Sequence, residues 1–173
     1  MRTISSLPDF STTAKGPSNS RHAATRRSDE YYTPDNAIAI LLPYLPKKKI
    51  IWECAWGQGH LARYLQARRY TVVGGPDEDF FASTVEFDLL VTNPPYSKKN
   101  DFLRRAYSLG KPFAMLLPAD SLVGMKRHPF FARHGIQLLI PNRRIQFIPQ
   151  TSEKRSCNFN SFWFCWRSEE PHV

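Results

Sequence analysis

Residues 88–96 (Asp-Leu-Leu-Val-Thr-Asn-Pro-Pro-Tyr) constrain the fold more than any other stretch of this chain. The apolar and β-branched run predicts a buried strand, which must stop at Asn93 because neither proline can donate to a sheet ladder. Pro94 and Pro95 hold the preceding residues in extended backbone, so the strand ends in a rigid polar tip. The Asn93 side-chain oxygen and the Pro94 carbonyl can accept both hydrogens of an exocyclic amine, while Tyr96 stacks on the attached ring.

This tip resembles the catalytic motif of the S-adenosylmethionine-dependent amino-methyltransferases, which act on adenine N6, cytosine N4 or the side-chain nitrogen of glutamine. The resemblance implies that four residues are catalytic, namely Asn93, Pro94, Pro95 and Tyr96, and that Asn93 also contacts the cofactor. A Pro-Pro turn followed by an aromatic residue occurs in ordinary loops as well. The interpretation therefore depends on the other stretches of the chain.

A glycine loop follows an earlier buried strand. Residues 50–61 predict a strand, a tight loop and the start of a helix. Gly57 and Gly59 let that loop turn with positive φ and approach a ligand closely. An acid at the strand end followed by these glycines resembles the cofactor loop of class I methyltransferases. The resemblance implies a binding site for S-adenosyl-L-methionine in which Glu53 faces the methionine ammonium, with Ala55, Gly57 and Gly59 around it.

Residues 31–34 (Tyr-Tyr-Thr-Pro) mark the beginning of ordered structure. Thr33 is predicted to cap a helix, with Pro34 at its first position. Tyr-Thr-Pro ahead of a short helix also resembles a cofactor-contacting motif of the amino-methyltransferases, which implies that Tyr32 and Thr33 contact the cofactor. An N-terminal helix without any ligand role is the alternative.

Residues 70–80 predict a second strand, after which the family places an acid that binds both ribose hydroxyls. Pro76 occupies that position here, and Asp77 follows it as the replacement. Asp79 and Phe80 resemble the acid-aromatic pair that contacts the cofactor adenine, with Phe80 stacking on the ring. An exposed acidic turn is the alternative interpretation, and Pro76 is the main departure from the family pattern.

The rest of the chain predicts alternating helices and strands. Asn100 is expected to cap a helix that ends at Gly110 and directs Arg104 and Arg105 outward. An apolar strand at 112–118, helical residues at 119–134, and strands at 136–140, 144–148 and 159–166 follow. This pattern predicts an α/β fold, a doubly wound Rossmann-like sheet that is mostly parallel with an antiparallel C-terminal hairpin. The predicted organisation is a flexible arm (1–30), one methyltransferase domain (31–168) and a tail (169–173).

Basic residues are concentrated after the tip. The chain has 24 Lys and Arg against 15 Asp and Glu, and residues 97–156 alone carry the whole excess of +9. This distribution favours a polyanionic partner, nucleic acid first, although a solvated basic surface is the alternative. The predicted nucleic-acid contacts are Lys98, Lys99, Arg104, Arg143, Arg144, Lys154 and Arg155.

The three cysteines, Cys54, Cys157 and Cys165, form no CxxC pair. We therefore expect neither a disulfide framework nor a metal site, as is typical of a reducing compartment such as the cytoplasm. No apolar run is long enough to suggest a membrane segment. Residues 1–30 are acid-poor until Asp29, so an organellar transit peptide is an alternative to a flexible arm.

The order of the motifs, with the glycine loop before Asn-Pro-Pro-Tyr, resembles compact phage-associated adenine-N6 enzymes. The expected function is methyl transfer to adenine N6 in DNA, with DNA favoured over RNA. A relaxed sequence preference is also expected, because a chain of this length has little room for a separate target-recognition domain. The alternatives are an RNA adenine or protein glutamine methyltransferase, or an inactive nucleic-acid-binding protein on the same scaffold, which Pro76 favours.

Overall fold

The computed structural model describes residues 31–149 and 160–167, which form one α/β unit. The predicted arm, the tail, and the stretch that contains Lys154, Arg155 and Cys157 lie outside the described residues. In chain order the elements are β1 (Tyr31–Tyr32), α1 (Asp35–Leu41), β2 (Ile50–Trp52), α2 (His60–Gln66), β3 (Thr71–Val73), β4 (Leu89–Thr92), α3 (Lys99–Ser108), β5 (Phe113–Pro118), α4 (His128–His134), β6 (Gln137–Leu139), β7 (Ile148–Pro149) and β8 (Ser161–Trp166).

Six strands form the central sheet in the order β3-β2-β4-β5-β8-β6. The first four are parallel, and β8 runs antiparallel to both β5 and β6. This confirms the predicted fold class. The chain leaves β2 toward β3 and then returns to the other side of β2 as β4. The order of strands therefore reverses between β2 and β4, and in open α/β sheets the ligand crevice lies at the carboxyl ends of such a pair.

The core occupies both faces of the sheet. Along β5, Ala114 and Leu116 pack with α1 and α2, whereas Phe113, Met115 and Leu117 pack with α3. Because successive side chains of a strand point to opposite faces, a strand covered on both sides is apolar at nearly every position. The exception in β4 is Thr92, whose hydroxyl donates a hydrogen bond to Glu53. All six residues of β5 are buried, as are all four of β4. The continuous apolar runs in the sequence have this cause.

The predicted hairpin partner at residues 144–148 is wrong. Ile145 and Phe147 are buried in the core, but the backbone there pairs only at Ile148–Pro149, which joins β1 in a separate two-stranded sheet. The antiparallel neighbour of β8 on the sheet edge is instead β6. The alternating apolar pattern of residues 144–148 reflects packing of two side chains rather than strand pairing.

Two predicted helix caps are also wrong. Pro34, not Thr33, is the N-cap of α1, and Lys98, not Asn100, is the N-cap of α3. Both polar side chains are engaged elsewhere: Thr33 accepts a hydrogen bond from Asn93, and Asn100 accepts one from Arg127. The predicted helical stretch 119–134 divides into a 3₁₀ turn at Ala119–Leu122 and the seven-residue α4. Tertiary contacts thus override local capping signals.

Candidate active site

A cavity of about 260 Å³ lies at the carboxyl ends of β2 and β4, between the glycine loop and the Asn-Pro-Pro-Tyr tip. The structure therefore brings together the two motifs that stand almost forty residues apart in the sequence. Predicted site residues that line the cavity are Tyr32, Thr33, Glu53, Ala55, Gly57, Asp79, Phe80, Asn93, Pro94, Pro95, Tyr96 and Lys98. Other lining residues include Trp56, His60, Glu78, Phe81 and Phe102.

Two predicted cofactor residues do not line the cavity. Gly59 is the N-cap of α2, with φ of 72°, and the Trp56 side chain packs so closely that an added Cβ would lie 2.9 Å from its indole nitrogen. Its role in the structure is to let the loop turn into α2. Asp77 is exposed and is not among the residues that line the cavity.

Glu53 is the buried acid of the site. Its carboxylate accepts hydrogen bonds from the Ala55 amide (2.9 Å) and the Thr92 hydroxyl (2.6 Å). Burial nevertheless raises the pKa of Glu53 to about 7, because desolvation of the charged form outweighs the two hydrogen bonds. The fold therefore holds, at the end of β2, an acid whose charge a cationic ligand would stabilise.

Gly74 permits the end of β3 to pass directly beside Glu53. The Glu53 amide donates to the Val73 carbonyl at 3.0 Å, and Gly74 follows with φ of 119°. A Cβ at residue 74 would overlap the Glu53 carbonyl oxygen. Only glycine combines this positive φ with so close a backbone contact. Gly74 thereby fixes the position of the Glu53 backbone at the cavity.

Glu78 and Asp79, rather than Asp77, are the acids that line the cavity after β3. The Glu78 amide donates to the Gly75 carbonyl at 3.3 Å, which closes a four-residue turn with Pro76 at its second position. In that turn Asp77 is exposed to solvent, whereas Glu78 lies at the cavity. The Glu78 carboxylate accepts hydrogen bonds from the Trp52 indole (3.3 Å) and the Ser83 hydroxyl. The Gly-Pro-Asp-Glu sequence is a turn signal that would have identified Glu78.

The exposed ring on this side of the cavity is Phe81, not Phe80. Phe80 is buried and stacks on Phe102, with ring centroids 4.7 Å apart and an angle of 18°. Phe81 is 41% exposed and packs edge-on against the same Phe102 ring. The Asp79 carboxylate accepts a hydrogen bond from the Phe81 amide at 2.9 Å, so it fixes the backbone from which Phe81 projects. The sequence did not predict that Phe81, rather than Phe80, is the exposed ring, because this depends on the conformation of the turn.

Residues near both ends of the described chain hold the side chains of the tip. The Asn93 amide nitrogen donates to the Thr33 hydroxyl at 3.0 Å. The Tyr96 hydroxyl lies 3.4 Å from the Ser161 hydroxyl, and the Tyr96 ring contacts Phe147 edge-on. These contacts orient the Asn93 carboxamide and keep the Tyr96 ring half-buried at the cavity wall.

The predicted nucleic-acid residues are distributed around the mouth of the cavity and beyond it. Lys98 is exposed and lines both the cavity and a neighbouring surface groove that also includes Arg104. Lys99 forms an ion pair with Asp120 at 3.5 Å, and Arg104 forms one with Asp101 at 3.1 Å. The remaining described members of the set, Arg143 and Arg144, are exposed in the loop that follows β6.

Arg105 does not project outward as predicted. Its guanidinium donates to the carbonyls of Phe80 (2.6 Å) and Ser83 (2.9 Å). These bonds join α3 to the loop that carries Asp79 and Phe81. Arg105 is therefore a residue that positions one wall of the cavity.

The described residues lack two features, a membrane-crossing helix and a metal-binding cluster. Residues 31–149 and 160–167 contain no helix with the length and apolar character needed to cross a bilayer. In the same part of the chain, no three His, Cys, Asp or Glu side chains are grouped so that they could hold a metal ion.

The sequence matches no protein-family model and no curated protein. Among solved structures, a candidate RNA methyltransferase from Pyrococcus horikoshii is similar, with 17% identity and a TM-score of 0.54 over 79% of this chain and 84% of that one. A dimethyladenosine transferase from Plasmodium falciparum has 13% identity and a TM-score of 0.49 over 80% of this chain and 63% of that one. The chain has the Rossmann-like fold of class I methyltransferases.

Proposed function

We propose that this protein is an S-adenosylmethionine-dependent methyltransferase that transfers a methyl group to an exocyclic amine, most specifically adenine N6 in DNA. The observation that carries the proposal is that the glycine loop and the Asn-Pro-Pro-Tyr tip line the same cavity. One wall has the chemistry for a methyl donor and the other has the chemistry for a planar amine.

The donor wall fits S-adenosyl-L-methionine, which supplies an electrophilic methyl group on a positively charged sulfur. Glu53 would hold the methionine ammonium, and its buried carboxylate is the natural partner of a cation. Glu78 would accept the two ribose hydroxyls in place of Asp77. Asp79 and the exposed Phe81 ring would contact the adenine end, Phe81 by stacking.

The acceptor wall has the task of making a poor nucleophile reactive. An aryl amine delocalises its lone pair into the ring, so attack requires that its hydrogens leave the ring plane. The Asn93 carboxamide oxygen and the Pro94 carbonyl would accept those hydrogens, and their fixed dipoles would stabilise positive charge on the nitrogen. The bound donor would supply the methyl group to the amine nitrogen, and one amine proton would pass to water. Thr33 orients Asn93 for this role through the 3.0 Å hydrogen bond.

The basic surroundings of the cavity favour nucleic acid over a protein substrate. Lys98 at the mouth and Arg104 in the adjoining groove would contact phosphates. A base inside a duplex must be flipped out before it can reach the tip, and Tyr96 would replace part of the lost stacking. RNA adenine is the second candidate, because the two acceptors of the tip recognise the same amine in either polymer. The inactive-scaffold alternative loses its main support, since Glu78 supplies an acid after Pro76.

The test is methyl transfer from labelled S-adenosyl-L-methionine to unmodified DNA, RNA and protein in parallel, with mass spectrometry of the digested products. We expect N6-methyladenine from DNA. The variant Asn93→Ala should lower kcat by about 100-fold or more, the usual effect of removing a group that stabilises transition-state charge.

The matched control is Thr33→Val, which removes the acceptor of the Asn93 hydrogen bond and keeps the side-chain shape. The factor by which Thr33→Val lowers kcat should be at least tenfold smaller than the factor for Asn93→Ala. Equal activity of Asn93→Ala and wild type would refute the proposed role of Asn93. Product in RNA or protein alone would refute the choice of DNA.

A further inference from the structure

Two apolar side chains project into solvent from the loop that follows β5. Val123 is 68% exposed and Met125 is 92% exposed, the highest values among the large hydrophobic residues that the structure describes. They flank Gly124 in residues 119–127, which begin at the carboxyl end of β5 and therefore lie on the same edge of the sheet as the tip. Both side chains leave most of their apolar surface exposed to solvent.

Hydrogen bonds of Arg127 hold the loop at residues 119–127 together. The Arg127 guanidinium donates to the carbonyls of Ser121 (2.7 Å), Asp120 (3.1 Å) and Val123. Its backbone amide bonds to the Gly124 carbonyl at 3.1 Å, and Gly124 has φ of 121°. One arginine thus satisfies three carbonyls of the turn. The loop therefore has a defined conformation, held by its own hydrogen bonds, in which Val123 and Met125 are exposed.

The same loop is attached to the residues that directly follow the tip. Lys98 lines the cavity, Lys99 pairs with Asp120, and Asn100 accepts a hydrogen bond of 2.9 Å from Arg127. Three consecutive residues thus connect the cavity mouth to the loop. The exposed Lys126 follows Met125 in the chain and places a positive charge suited to phosphates beside this apolar side chain.

We propose that Val123 and Met125 enter the base stack of duplex DNA beside the target adenine and help to hold the flipped state. This inference rests on the proposed function and names the duplex as its substrate form. Flipping a base costs a few kcal/mol of stacking and pairing. Apolar side chains inserted at a base step recover part of the lost contact, as in other proteins that deform DNA. Lys126 beside Met125 and Lys98 at the cavity mouth would anchor the flanking phosphates.

The experiment compares wild type with the double variant Val123→Ser/Met125→Ser on three oligonucleotides. These are a duplex with one target adenine, the same strand alone, and the duplex with a mismatch opposite the target. We expect kcat/KM on the duplex to fall at least tenfold, with the value on the single strand unchanged. The mismatch should restore much of the loss, because a mismatched base is easier to flip.

The conservative control is Val123→Leu/Met125→Leu, which keeps the loop apolar and should retain activity on the duplex. Equal loss on duplex and single strand, or no loss on the duplex, would overturn the inference. So would a wild type active only on single strands, or a dimer in solution that the polar variant converts to a monomer. If the wild type transfers no methyl group to any oligonucleotide, the proposed function itself fails.

Discussion

Glu53 is a buried acid whose charged form weakens the folded state. Glu53 is 2% exposed, and burial raises the pKa of its carboxyl group to about 7 from an ordinary value of 4.5. The folded protein therefore binds the Glu53 proton more tightly than the unfolded chain. The contribution of Glu53 to stability is complete below about pH 4.5 and is lost as the pH rises to about 7. A buried acid with this penalty is typical of a site that needs its charge.

The variant Glu53→Gln removes the titration and can keep both hydrogen bonds through its amide oxygen. We expect its free energy of unfolding at pH 8 to exceed that of wild type by up to roughly 3 kcal/mol, with a higher melting temperature, and we expect this difference to disappear near pH 5. Its affinity for S-adenosyl-L-methionine should fall at least tenfold at pH 8. Differential scanning calorimetry and isothermal titration measure both quantities. A variant that melts lower and binds the cofactor as well as wild type would contradict this account.

Gly74 and Gly75 are neighbouring glycines with different constraints. Gly74 has φ of 119°, and a Cβ there would overlap the Glu53 carbonyl, whereas a Cβ at Gly75 would meet no atom within 4 Å. Gly74→Ala should therefore lower the free energy of unfolding by about 2–3 kcal/mol, and Gly75→Ala should change it by less than about 1 kcal/mol. Urea denaturation of both variants provides the test. Similar values for the two would show that the contact with Glu53 is not constraining.

At the scale of elements, patterns with a strong physical cause were predictable from the sequence. The double proline had to end β4, and the continuous apolar run of β5 had to lie in the middle of the sheet. Predictions failed where a side chain had more than one possible partner. Thr33 and Asn100 suit helix caps, yet both bond to side chains far away in sequence. Only the folded chain decides between such partners.

Arg104 and Arg105 on α3 illustrate how neighbours in one helix acquire separate roles. Arg105 bonds to the carbonyls of Phe80 and Ser83, while Arg104 is exposed in the surface groove. Arg105→Gln should weaken cofactor binding about tenfold, as two charged hydrogen bonds are lost, and leave the salt dependence of DNA binding unchanged. Arg104→Gln should have the opposite pattern, with a slope of log K against log salt that is smaller by about one.

Titration calorimetry with the cofactor and DNA-binding assays at several salt concentrations would separate the two roles. Identical behaviour of the two variants would mean that α3 acts as one basic surface. Loss of cofactor affinity in Arg104→Gln would contradict the division that the structure indicates.

At the scale of the whole molecule, the fold collects residues from distant parts of the chain at one edge of the sheet. The glycine loop, the turn that ends in Glu78 and the tip each follow a different parallel strand, so their side chains meet in one cavity. The sequence predicted this meeting, because the carboxyl ends of parallel strands lie together. It did not predict the loop at residues 119–127, whose shape depends on the bonds of Arg127.

The most direct measurement is the melting temperature with and without S-adenosyl-L-methionine at pH 8. Binding to the folded state at 100 times the Kd stabilises it by about 2.7 kcal/mol, which corresponds to a rise of about 5 °C or more for a domain of this size. We expect that rise for the wild type and a smaller one for Glu78→Gln at the same concentration. An unchanged melting temperature at every cofactor concentration would contradict the assignment of the cavity as a methyl-donor site.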